Sequence, residues 1–299
     1  QTQGADDFFT VLNNGGTGIG ADAVSGAINL TIGGGTSLDV GGNLILNSAA
    51  QGGKGELQNG LGTAGVIVVD FSTTGTIDIG GLMLISAEAI SAQTGKLAGN
   101  GPRGIGSDST GGNITVNLNT GGLNAGGLLV NASAEASGGD NAAIAQSNDA
   151  VAGAITVNIL GGFNQFGQVD LIGRADGAAS FDASGAAVVG QVTRGSASLT
   201  VTNLDAALAV TGDAFIDVST DGAVTAPTAN SVSITVDNVG PLGGMFVGGS
   251  LRIDTTAGGG ASTGVTTAGS VLLQAADGEL SAGFLDISAR ASESGSNFS

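Results

Sequence analysis

Four charged residues lie close enough in this chain to suggest chemistry: Asp170, Arg174, Asp176 and Arg194. Carboxylates beside an arginine can cleave a sugar polymer, one moving a proton while the cation steadies developing negative charge. Acid–base neighbours of this kind are more often plain surface ion pairs, so no catalytic residue is assigned. Cys and His are both absent. Their absence excludes disulfides, thiol nucleophiles, imidazole triads and the usual zinc sites.

Calcium is the other chemistry to weigh. The run Asn13-Asn14-Gly15-Gly16-Thr17-Gly18-Ile19-Gly20-Ala21-Asp22 is close to the glycine-rich calcium nonapeptide. It carries Ile19 where an acid belongs, and it is not repeated in tandem. Calcium takes about six to eight oxygens. Asp22, Asp140, Asp149, Asp176 and Asp182 are the acids placed to supply some of them. The competing reading is that these carboxylates are simply solvated, and no other cofactor is expected. Thr115, Thr156, Thr200 and Thr235 take similar outward positions, as an ice-binding face would require. Strand propensity alone also produces such a rank.

The elements that would position these groups come from a repeated phrase, Gly-x-h-x-h-x-s-x-s, with h aliphatic and s small. Its anchors stand near residues 42, 81, 126, 167, 212, 249 and 283. Self-similarity at this period marks a stack of like units. In the third copy Ile114, Val116 and Leu118 alternate with Thr115 and Asn117, the period of a half-buried strand. Leu123 and Ala125 form a short second strand. Leu128, Val130, Ala132 and Ala134 line a third, with glycine at the corners. Phe163 and Phe166, and Pro241 with Met245, Phe246 and Val247, break the plan and predict irregular corners. The prediction is an all-β fold, a single three-sided right-handed parallel β-helix of about seven coils. Residues 1–25 are a lead-in or cap and 26–299 the continuous helix. Stretches 51–65, 90–111, 137–153 and 176–195 are long loops leaving one corner. Residues 1–3 lack the basic and apolar regions of a leader, so Gln1 is expected to follow a cleavage site or to lie inside a longer chain.

Composition narrows the partners. The chain has 299 residues, 57 of them Gly, with 25 acidic against 7 basic side chains and a net charge of −18. Phosphate binding needs clustered Lys and Arg, so nucleic acid is excluded as a partner. No apolar stretch approaches the ~20 residues of a membrane span, so this segment is not expected to insert in a membrane.

Outward positions of the third strand carry, in successive copies, Ile45, Leu84, Leu129, Asp170, Phe215, Arg252 and Asp286. The early ones form an apolar rank, with Ile172 and Phe215 continuing it off-line. Such a stripe is expected to contact another copy or a neighbouring domain, or else to be covered by the early loops. Arg252 is expected to pair with Asp217 or Asp286.

The phrase GGNITVNLNTGGLNAGGLLVNASAEASGG and its looser copies resemble the filamentous-haemagglutinin-like adhesins, the autotransporter passengers and the Gly/Ala/Thr-rich β-strand-repeat surface proteins of Gram-negative bacteria. The resemblance implies secretion, an extracellular or cell-surface location, and a structural or adhesive role. The expected function is a non-enzymatic structural rod that self-associates. The alternatives are an adhesin whose loop ridge holds a glycan or a host or cell-surface protein, and a β-helical polysaccharide-active enzyme.

Overall fold

The computed structural model describes residues 21–53, 59–91, 106–138, 148–181, 187–220, 230–240, 243–259 and 267–293. Among them the chain is all strand and connection, with no helix, and long parallel ladders run through it in the manner of a β-solenoid. Antiparallel pairing among these residues is confined to the hairpin of Ala179–Phe181 with Ala187–Val189 and two isolated bridges.

Each copy of the repeat lies on the copy before it. Ile28–Gly34 pairs with Ile67–Thr73, and that strand with the long Ile114–Asn131. The same ladder continues through Ile155–Phe166, Ala197–Thr202, Ser231–Asp237 and Ser270–Ala275. Alternation sends every second side chain inward, so like residues stack in columns. Val69, Val116, Val157, Leu199 and Ile234 form one such column and are all buried. Each aliphatic residue so enclosed contributes about 1.5–3 kcal/mol. The second and third strand stretches build their columns in the same way, and the three meet in one continuous core.

The fourth and sixth copies do have irregular corners: the ladder slips register opposite Leu160–Gly162 and again after Val247, and Gly162, Gly240 and Gly244 have positive φ, but the strands that follow these corners are regular. Phe166 is fully buried and registers with Ala125 and Val210, while Met245 and Val247 register with Leu208 and Val210. Only Phe163 of this group is turned out and well exposed. Pro241 lies outside the described residues. A further departure is Asn164, buried where its neighbours in the column are Leu123 and Leu208. Its amide is satisfied there: Nδ2 donates to the Gly161 carbonyl at 2.9 Å, and Thr120 Oγ1 donates to its Oδ1 at 3.2 Å. A buried donor or acceptor left without such a partner would cost about 1–3 kcal/mol, more than a typical hydrogen bond contributes net.

Past the third strand the chain narrows into an annex, and glycine makes the neck. The N–H groups of Gly65, Gly112, Gly153 and Gly195 donate to the carbonyls of Ser48, Ala87, Ala132 and Gly173, at 3.2, 2.9, 2.8 and 3.1 Å. These glycines stack on one another so tightly that a Cβ on Gly112 would stand 1.9 Å from the Gly65 oxygen. Beyond the neck, two ladders of short strands face each other. One holds Ala50–Gln51, Ala89–Ile90, Ala134–Glu135 and Ala175–Asp176. The other holds Ala23–Val24, Gly62–Thr63, Ser109–Thr110, Ala150–Val151 and Val192–Thr193. Its first rung falls inside the stretch 1–25. A small cluster of Ala134, Ala136, Ala150, Ala152, Ala175 and Val192 fills the space between. Small side chains make so thin a layer possible. The long connections 52–61, 91–108, 136–149 and 177–191 all run between these two ladders.

Arg194 closes the annex. It follows Ala152 in an inward column and is 2% exposed. Its Nη1 donates to the Thr255 carbonyl at 2.9 Å and its Nη2 to the Thr267 carbonyl at 2.7 Å. Burial pulls its pKa below the ordinary arginine value. At the last described copy the inward columns open to solvent, with Leu285 50% and Ile287 43% exposed.

Candidate functional site

The third strand presents the clearest outward face. Parallel pairing places Ile45, Leu84, Leu129, Asp170, Phe215, Arg252 and Asp286 in a single column. The next outward column is Asn47, Ser86, Asn131, Ile172, Asp217, Asp254 and Ser288. Phe215 is therefore in line with Ile45, not beside it, and only Ile172 stands in the neighbouring column. Ile45 is 61% exposed; Leu84, Leu129, Ile172 and Phe215 are half-buried.

The second column has a local task. Asn47, Asn131, Asp217 and Asp254 each accept, through Oδ1, a hydrogen bond from the N–H two residues on, at 2.8 to 3.0 Å. These Asx turns bend the chain into the annex. The signal was available in the sequence, since each residue is an Asn or Asp at one fixed place in the phrase.

Charge enters the first column at Asp170. Its Oδ2 accepts from Gln168 Nε2 at 3.2 Å. Burial, and after it the nearby Asp213, raise its pKa above the ordinary carboxylate range. The Arg252 guanidinium lies over the Phe215 ring, 5.8 Å from its centroid, and reaches Asp286 at 3.6 Å. Asp217 is engaged instead by Arg174, at 3.9 Å. Gln168, Asp170, Asp213, Phe215 and Arg252 line a shallow depression of about 450 Å³ over Gly167 and Gly212.

The four charged residues singled out by spacing divide among three places. Arg174 pairs with Asp176 at 3.8 Å on the surface. Asp170 faces Gln168 and Asp213. Arg194 is inside the annex, on backbone carbonyls. Of the four, the structure brings only Arg174 and Asp176 together, with Asp217 on the other side of the guanidinium. The threonine rank also divides: Thr115 and Thr156 register with Ser198 and Ser233, whereas Thr200 and Thr235 follow Asn117 and Asn158.

Of the acids considered for calcium, Asp140 and Asp182 lie outside the described residues, and Asp176 is the partner of Arg174. Asp22 and Asp149 prove to be equivalent, together with Asp108. Each sits one residue before a short annex strand and accepts the N–H of the next rung: Leu61 at 2.8 Å, Gln191 at 2.7 Å and, for Asp108, Asp149 at 2.7 Å. Burial, and after it the charge of Asp149, raise the Asp108 pKa, against the lowering by that hydrogen bond. Among the described residues no group of three or more acids gathers to hold a metal.

No protein-family model, curated protein or solved structure matches the chain.

Proposed function

We propose that the chain is a non-enzymatic, extracellular structural segment of a bacterial surface or filament protein. In this reading residues 26–299 form one right-handed, three-sided parallel β-helix of about seven coils. The mechanism is mechanical. Backbone ladders make a stiff spacer, and the third-strand face joins it to another copy or a neighbouring domain.

The single observation that carries this reading is the register of Ile45, Leu84 and Leu129. Three aliphatic residues stand one above another on the outside of a ladder whose inside is already filled with aliphatics. Water-facing positions of a strand are ordinarily polar, and an apolar run among them marks a contact surface. Electron microscopy of negatively stained protein tests it: laterally paired rods or filaments are expected. Isolated particles at every concentration, with release of oligosaccharides from a polysaccharide, would favour an enzyme instead.

A further inference from the structure

A second outward face lies on the second strand stretch, and its side chains form a small grid. Asp78, Asn124 and Gln165 stand one above another, and beside them stand Thr76, Gly122 and Phe163. Rungs are about 4.8 Å apart, and alternate residues along a strand about 6.6 Å apart. Glycine at the centre of one row removes a side chain from the grid. What remains is an open depression of about 370 Å³, bounded by the Phe163 ring and by Asp78, Asn124 and Gln165. That volume falls in the roughly 300–1,000 Å³ range of small-ligand sites.

Core packing requires neither the ring nor the glycine. Phe163 is 53% exposed, while Phe166 three residues on supplies the core. A Cβ on Gly122 would meet only the Phe163 carbonyl oxygen, at 3.6 Å, an ordinary contact. The adjacent Gly121 differs, since a Cβ there would stand 2.3 Å from the Thr74 oxygen. Gly121 is held by packing, and Gly122 keeps the depression open.

The rim chemistry points to one ligand class. Asn124 Nδ2 donates to Asp78 Oδ1 at 3.2 Å, so carboxamide and carboxylate are already aligned along the rod. Together the three rim groups offer both donors and acceptors. Hydroxyl groups use both, and the C–H face of a sugar ring suits the negative face of a phenyl ring. A metal ion is a poorer match, because two of the three rim groups are neutral amides. An anionic sugar meets a chain of net charge −18.

We propose that this depression binds a neutral saccharide, with one ring stacked on Phe163 and its hydroxyls shared among Asp78, Asn124 and Gln165. The site needs a single chain, so it stands or falls separately from rod assembly. Saturation-transfer NMR on the whole chain tests it, with maltohexaose and cellohexaose as neutral probes and hexagalacturonate as the anionic one. Transfer to the ring protons of a neutral probe is expected. Phe163→Ala should weaken that binding at least tenfold with an unchanged melting temperature. Gly122→Leu should abolish it by filling the depression, again without loss of stability. No transfer to either neutral probe, transfer to hexagalacturonate alone, or binding that survives both substitutions overturns the proposal.

Discussion

The amide of Gly112 donates to the carbonyl of Ala87 at 2.9 Å, across the neck between the aliphatic core and the alanine annex. Gly112 also rests on Gly65, whose carbonyl leaves no room for a side chain. Gly112→Ala should therefore cost about 3 kcal/mol, the upper end of ordinary overpacking. Gly122→Ala, ten residues on, should be neutral or stabilise by about 0.4–1 kcal/mol through the unfolded chain. Urea denaturation of the two variants provides the comparison, and equal losses would mean that the neck is not the tight point.

Arg194 reaches Thr255 across 61 residues of sequence. Arg194→Met removes the donor to the buried Thr255 carbonyl, worth about 1–3 kcal/mol when left unsatisfied, and the donor to the Thr267 carbonyl of an exposed residue, which water can replace. A net loss of about 2 kcal/mol is expected, softened because methionine avoids desolvating a charge. Arg194→Lys should not restore it, since one ammonium cannot reproduce the guanidinium fork. Faster hydrogen exchange at Ala257 and Gly269 would place the damage locally; unchanged exchange there would refute the closing role.

For the outward column, Ile45→Asp with Leu129→Asp should abolish lateral pairing. Each change forfeits about 1.5–3 kcal/mol of burial at an interface, so association should weaken at least about a hundredfold. Sedimentation velocity measures it. An unaltered distribution would mean that the column is covered within one chain.

The Asp170 carboxyl is raised by burial and by Asp213. A raised acid favours folding in its protonated form. Its contribution is fully present below the unfolded value of about 3.9 and is lost as pH rises through the higher folded value. Asp170→Asn should therefore raise the urea midpoint at neutral pH. The difference from the parent should vanish near about pH 3, below the unfolded value. A gain that persists unchanged in acid would point to packing instead of charge.

The Asp22, Asp108 and Asp149 carboxylates are already spent on the N–H groups of the next rung. Chelation with EDTA should leave the melting temperature unchanged. A fall on chelation, reversed by calcium, would identify a metal that this hydrogen bonding does not account for.

Strand, corner and core were legible in the sequence because they are local. Alternation of Ile114, Val116 and Leu118 with polar neighbours sets which side chains turn inward, and glycine sets where the chain turns. The inward columns follow from these alone, even for Leu199 and Ile234, which are weakly conspicuous in their copies. The outward face was only half legible. Ile45, Leu84 and Leu129 align through the shared phrase, but only the register puts Phe215 in line with them and divides the four threonines between two columns. Connections of unequal length separate the copies, and a slip of even one residue exchanges the faces.

The chain by itself thus determined a parallel stack with a thin aliphatic interior, since each copy repeats the same inward pattern and cannot bury it alone. The tertiary structure decided what lies beside what. It brought Phe163 over Gly122, set Arg194 on carbonyls from two later copies, and turned scattered aspartates into rung caps. Those relationships depend on the register between copies, which backbone ladders set and no single repeat contains.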